Sequence, residues 1–146
     1  MKRLEVTSVF QHNGIIPIKY TCDGEDVNPP FKFRNIPKSA KSLALIMEDP
    51  DAVNVWTHWL VWNIPPNSSL EEDNVPGVEG LNDFKRQGYG GPCPAKGQHR
   101  YFYKIYALDK MLDIPPASIR SKLESAMENH ILSKGILIGR YARTHG

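Results

Sequence analysis

Short runs in which apolar side chains recur at every second position make up most of the chain, and that period belongs to strands. They cover residues 4–10 (LEVTSVF), 16–20 (IPIKY), 31–35 (FKFRN), 42–48 (SLALIME), 58–64 (HWLVWNI), 99–108 (HRYFYKIYAL) and 136–143 (ILIGRYAR), most of them separated by turn residues. The runs at 42–48 and 58–64 are apolar on both alternating faces, as strands covered on two sides are. The run at 99–108 places His99, Tyr101, Tyr103 and Ile105 on one face and Arg100, Phe102, Lys104 and Tyr106 on the other. One segment has the helical period instead. After Pro115 and Pro116, the residues Ile119, Leu123, Ala126, Met127 and Ile131 fall on a single stripe that Gly135 ends, which predicts a helix over 119–131 covering a sheet. The expected fold is mainly β with one helix near the C-terminus. Turn residues are spread evenly and no repeat or linker interrupts them, so residues 1–146 read as a single domain.

Composition narrows the picture. A chain of 146 residues, 40% hydrophobic with 12 Pro and 11 Gly, is long enough to bury a core without metal or disulfide support and is rich in turns. The net charge of +2 comes from scattered charges, and the densest run, Glu71-Glu72-Asp73, is acidic, so no nucleic-acid partner is expected. The opening MKRLEVTSVF has no leader-like apolar core, and no stretch approaches the roughly 18 apolar residues of a membrane span. A cytoplasmic protein without stable membrane insertion is the expectation. Cys22 and Cys93 belong to no C-x-x-C pattern. A reducing cytosol would keep them as thiols, but both lie in Gly/Pro-bearing loops, and a disulfide stays open as the alternative.

Two stretches set polar groups against apolar strands. In MEDPDAVNVWTHWLVWNIP (47–65), one strand runs into Asp49-Pro50-Asp51, and the next begins with His58 in phase with Leu60 and Trp62. A histidine at the edge of a buried face needs a hydrogen-bond partner, and Asp49 or Asp51 can supply it. Taken alone, Asp-Pro-Asp is most often a plain turn. In GYGGPCPAKGQHRYFYKIY (88–106), Gly90 and Gly91 offer backbone N–H groups to a close ligand, Pro92 and Pro94 stiffen the loop, and His99 and Tyr101 follow on one strand face. Together these residues make an expected anion cradle. The loop lacks the Lys-Ser/Thr of a P-loop, and no strand-Gly-helix order supports a dinucleotide fold.

Taken together, DPDA followed by HWLVWNIP, and GYGGPCPAKGQHRYFYKIYALD, resemble the phosphatidylethanolamine-binding protein family, which includes the Raf kinase inhibitor proteins and the plant flowering-time regulators. YTCDGEDVNPPFKF (20–33) resembles its bacterial and archaeal branch, and the likeness runs over nearly the whole chain. The resemblance implies a sandwich of two antiparallel sheets with a small anion-binding pocket at one end. Carried onto this sequence, the pocket consists of Asp49, Asp51, Trp56, His58, Gly91, Pro92, His99 and Tyr101. Position 53 is Val where many relatives have Pro, and the sequence ends at Gly146 without the C-terminal helix that closes the pocket in animal members.

The implied function is non-enzymatic binding of a small phosphorylated or anionic ligand, such as a phosphoethanolamine-like headgroup or a phosphorylated side chain. The expected donors are the rings of His58 and His99, the Tyr101 hydroxyl and the Gly91 N–H. Two carboxylates beside them would repel a dianion unless they hold the imidazoles in charged form or meet a ligand ammonium near Trp56. The resemblance also implies an alternative, inhibition of a serine protease or kinase through surface loops, with Asn67-Ser68-Ser69 and the acidic run as the contact. Two His and two Asp, with Cys93 nearby, could in principle serve an enzyme or hold a metal. No H-x-x-x-H or G-x-S-x-G pattern accompanies them, so no catalytic residue, metal or cofactor is expected. The bacterial and archaeal relatives suggest a homodimer.

Overall fold

The computed structural model describes residues 3–67 and 69–143; Ser68 of the expected contact loop and Gly146 fall outside the described residues. The strands are β1 (Glu5–Thr7), β2 (Gly14–Ile15), β3 (Phe31–Arg34), β4 (Ser42–Asp49), β5 (Trp56–Ile64), β6 (Ser69–Leu70), β7 (Val78–Glu79), β8 (Gln98–Leu108) and β9 (Ile131–Ala142). One helix, α1 (Arg120–Met127), lies between β8 and β9. The larger sheet has the order β2-β9-β8-β4-β5-β7 and the smaller β1-β3-β6. Pairing is antiparallel throughout except at the edge, where β2 runs parallel to β9 for two residues.

Every residue of β4 is buried, because the larger sheet is covered on both faces. One face packs Leu43, Leu45, Met47, Trp59, Val61, Tyr101, Tyr103 and Ile105 against Val6, Phe31 and Phe33 of the small sheet. The other packs Ala44, Ile46, Leu60 and Trp62 under Leu123 and Met127 of α1. The helix is also held by charge. Arg120 donates to Glu48 at 2.6 Å and Lys104 lies 3.1 Å from the same carboxylate, which is nearly buried within β4.

The expected strand at 4–10 is a strand only over Glu5–Thr7, and three further departures from the periodicity each have a local reason. The helix stops at Met127 because Asn129 adopts a left-handed conformation (φ 68°), and Ile131 pairs with Leu108 as the first residue of β9. Residues 16–20 are not a strand: Pro17 has no N–H for a ladder, and Ile18–Tyr20 wind into a 3-10 turn. His58 does not share a face with Leu60 and Trp62. The pairs Met47↔Trp59 and Glu48↔Thr57 leave His58 as the extra residue of a β-bulge, and its ring meets Tyr101 on the inter-sheet side.

Two tethers fix the loops near the end of the sandwich. Cys22 and Cys93 form a disulfide across 71 positions, which decides between the two expectations. The segment after Pro65 is anchored as well: Leu70 is buried in β6, and Glu72 accepts from the Tyr20 hydroxyl at 2.6 Å and meets Lys19 at 2.5 Å.

Candidate functional site

A cavity of about 440 Å³ opens where β4 ends and β5 and β8 begin. Asp49, Asp51, Trp56, His58, His99 and Tyr101 line it, together with Val53, Phe84, Cys93 and Lys96. The chain brings these six expected residues together because β4 is central: Asp49 at its end lies beside Trp56 on β5, while β8 runs along its other edge. Gly91 and Pro92 sit behind this wall. The Gly91 N–H donates to the Asp26 carboxylate at 2.8 Å, the Gly90 N–H donates to the His58 carbonyl at 3.0 Å, and the Pro92 carbonyl accepts from Cys22 N–H at 3.1 Å. The expected backbone cradle is therefore corrected. Gly91 is needed for close packing, since a Cβ there would collide with the Tyr20 carbonyl and the Asp26 carboxylate.

Both imidazoles are fixed through Nδ1. His58 Nδ1 lies 2.7 Å from the Gly90 carbonyl, which only accepts, so Nδ1 carries the proton of the neutral ring. His99 Nδ1 lies 2.6 Å from Asp49 Oδ2. Neither Nε2 makes a well-aligned hydrogen bond among the described residues, although the Gly91 backbone also lies close to the His58 ring and favours its charged form. His58 is 3% exposed, and burial, only partly opposed by Gly90 and Asp49, holds its pKa below the usual imidazole value. The Tyr101 hydroxyl is pushed upward, first by burial and then by the Asp49 charge. It makes no well-aligned hydrogen bond, and neither does the covered Trp56 indole N–H. Phe84 supports these rings, meeting Trp56 and His58 edge-on at 5.5 and 5.1 Å.

The carboxylates are occupied in ways the sequence did not suggest. Asp49 Oδ1 accepts the Asp51 N–H at 2.8 Å, while its Oδ2 takes His99, not His58. Asp51 receives Arg100 three times: backbone N–H and Nε at 2.9 Å on Oδ2, and one terminal nitrogen at 2.8 Å on Oδ1. Arg100 holds the Asp51 carboxyl down at about 2. The alternating pattern turned Arg100 away from His99 and so hid this clamp, which forms where β8 begins and the backbone N–H is free of the ladder. Asp26 and Phe84 gave no signal of their own beyond lying in loops.

A profile of the phosphatidylethanolamine-binding protein (PEBP) family matches residues 6–142. The chain belongs to this family. Among its PEBP relatives, the UPF0098 protein of Methanothermobacter thermautotrophicus is 49% identical over 146 residues, covering 94% of this chain and 97% of that protein. The UPF0098 protein of Pyrococcus horikoshii is 45% identical over 153 residues, covering 96% and 77%. The crystal structure of a PEBP homologue from Chlamydia trachomatis superimposes with a TM-score of 0.94 at 38% identity, over 98% of this chain and 99% of that one. Escherichia coli YbcL, at 24% identity and a TM-score of 0.87 over 98% and 100%, shares the PEBP fold. Among the described residues no helix is long and apolar enough to cross a membrane.

Proposed function

We propose that this PEBP chain binds a small oxyanion, the phosphoryl group of a headgroup or side chain, in the cavity between β4, β5 and β8, without turning it over. Two imidazoles fixed through Nδ1, with Nε2 left over in one cavity, carry this reading. Protonated, each Nε2–H is a charge-assisted donor. Neutral, His58 Nε2 accepts the P–OH of a phosphate monoanion. The carboxylates oppose such a ligand little, because Arg100 neutralises Asp51 and His99 covers Asp49. Lys96 adds a cation at the rim. The Trp56 indole N–H contributes a donor whose unpaired burial costs on the order of 1–3 kcal/mol, a cost that an acceptor brought within reach removes, and the Tyr101 hydroxyl adds a poorly aligned second donor.

Calorimetric titration with inorganic phosphate and with phosphoethanolamine tests the reading. Both should bind the native chain and lose at least about tenfold in affinity in His99→Ala, the loss of one hydrogen bond to a charged group. Equal affinity in the variant, or no heat with either probe, contradicts it. Phosphoethanolamine exceeding phosphate would mean that the Asp49 and Trp56 side of the cavity receives the ammonium.

A further inference from the structure

We infer that the Cys22–Cys93 disulfide gates the cavity: a dithiol reductant that opens it releases the 91–94 wall and weakens oxyanion binding. The inference rests on the binding role proposed above. Cys93 and Pro94 line the cavity, so the disulfide is part of the wall itself. Two bonds tie Gly90 to His58 on β5, and three more that seat this wall run to one neighbouring segment. Gly91 N–H reaches Asp26, Pro92 accepts from Cys22, and the Tyr89 hydroxyl donates to the Tyr20 carbonyl at 2.7 Å.

That neighbouring segment begins as a 3-10 turn and belongs to no strand up to Phe31, so the disulfide is the covalent member of a seam between two loops. On the far side, among the described residues, no backbone-to-backbone hydrogen bond of a loop or turn involves Cys93 to Gly97, and the Cys93 backbone approaches the Tyr101 hydroxyl. Both cysteines are partly exposed, so a reductant can reach them. One thiolate of the dithiol attacks a sulfur and forms a mixed disulfide, and the second thiol displaces it. Cys22 and Cys93 leave as thiols, having gained two electrons and two protons, and the dithiol leaves as its own disulfide.

Reduction need not unfold the sandwich, because the ladders of both sheets and the core under α1 do not depend on the seam. It lowers the fraction of molecules whose wall is in place, and apparent affinity falls in proportion to that fraction.

The test titrates phosphate at pH 6 into oxidised protein, into protein reduced with excess dithiothreitol and checked by thiol count, and into Cys22→Ser/Cys93→Ser. Amide hydrogen exchange at positions 22 and 91, whose N–H groups donate across the seam, is followed in each. Expected are phosphate binding by the oxidised form, affinity about tenfold weaker in the other two if the wall is seated in a tenth of molecules, and faster exchange along the wall. Equal affinity in all three forms overturns the gate. Unchanged exchange on reduction overturns it whatever phosphate does. A wall that loosens while oxidised protein takes no phosphate overturns both the gate and the binding role. If the double variant does not fold, reduced native protein gives the same comparison.

Discussion

At the scale of single residues, His58 is a buried ring that gives its Nδ1 proton to the Gly90 carbonyl and is held below the usual imidazole pKa by burial. A histidine beside an Asp-Pro-Asp turn suggested an Asp–His pair, and such a pair exists, but it is Asp49 with His99. The bulge that inserts His58 opposite β4 has no signature in side-chain alternation, so the exchange of partners was illegible. The depressed pKa of His58 gives two predictions of opposite sign. In the free protein, unfolding restores the ordinary pKa near 6.5, so the unfolded chain takes up the proton first. The stability from keeping His58 neutral is present above about pH 6.5 and is lost as pH falls towards its lower folded pKa; denaturant melts at pH 7.5 and 5.5 check this. Phosphate affinity should instead rise over the same interval, as the imidazole gains the charge the anion needs. Affinity flat from pH 5 to 8 would count against the donor role. Gly91→Ala tests packing at the same scale: overlap with backbone should cost about 1–3 kcal/mol, read from the shift in denaturant midpoint.

At the scale of elements, the strands buried on both faces were legible because apolar residues at both parities leave no solvent side, and β4 and the central part of β5 are indeed covered twice. The helix was legible as an element but not in its end. Ile131 continues the stripe numerically, yet its pairing with Leu108 and the left-handed Asn129 end the helix four residues earlier. Nor does periodicity show what holds α1 down besides Leu123 and Met127. Burial alone would raise the Glu48 pKa, but hydrogen bonds from Arg120 and Lys104 outweigh it and bring it below the ordinary carboxylate value. That contribution is present above the unfolded pKa near 4.5 and disappears as pH falls through the lower folded value. Arg120→Ala should destabilise by about 2–3 kcal/mol, somewhat less than stripping a fully buried pair, because Lys104 remains. Thermal melts of Arg120→Ala and Glu48→Gln/Arg120→Ala would separate lost packing from the stranded charge. A double variant no more stable than the single one removes the electrostatic account.

For the whole molecule, the PEBP sandwich works as a frame that brings three strand ends to one rim. Its expected residues converge there except for Gly91 and Pro92, which serve the seam behind the wall. Motif order made the rim legible; which donors remain free depends on partners contributed by Asp26, Arg100 and Gly90, which no spacing encodes. The site's central property is a pair of imidazoles anchored through Nδ1 with no well-aligned hydrogen bond at Nε2 among the described residues. Imidazole 15N NMR of labelled protein at pH 7.5 and 6, with and without inorganic phosphate, measures that property directly. His58 should appear as the Nδ1–H tautomer at pH 7.5, and Nε2 of both His58 and His99 should shift when phosphate is added, more strongly at pH 6. A His58 ring protonated on Nε2 in the free protein, or Nε2 signals at both residues that ignore phosphate, would contradict the site described.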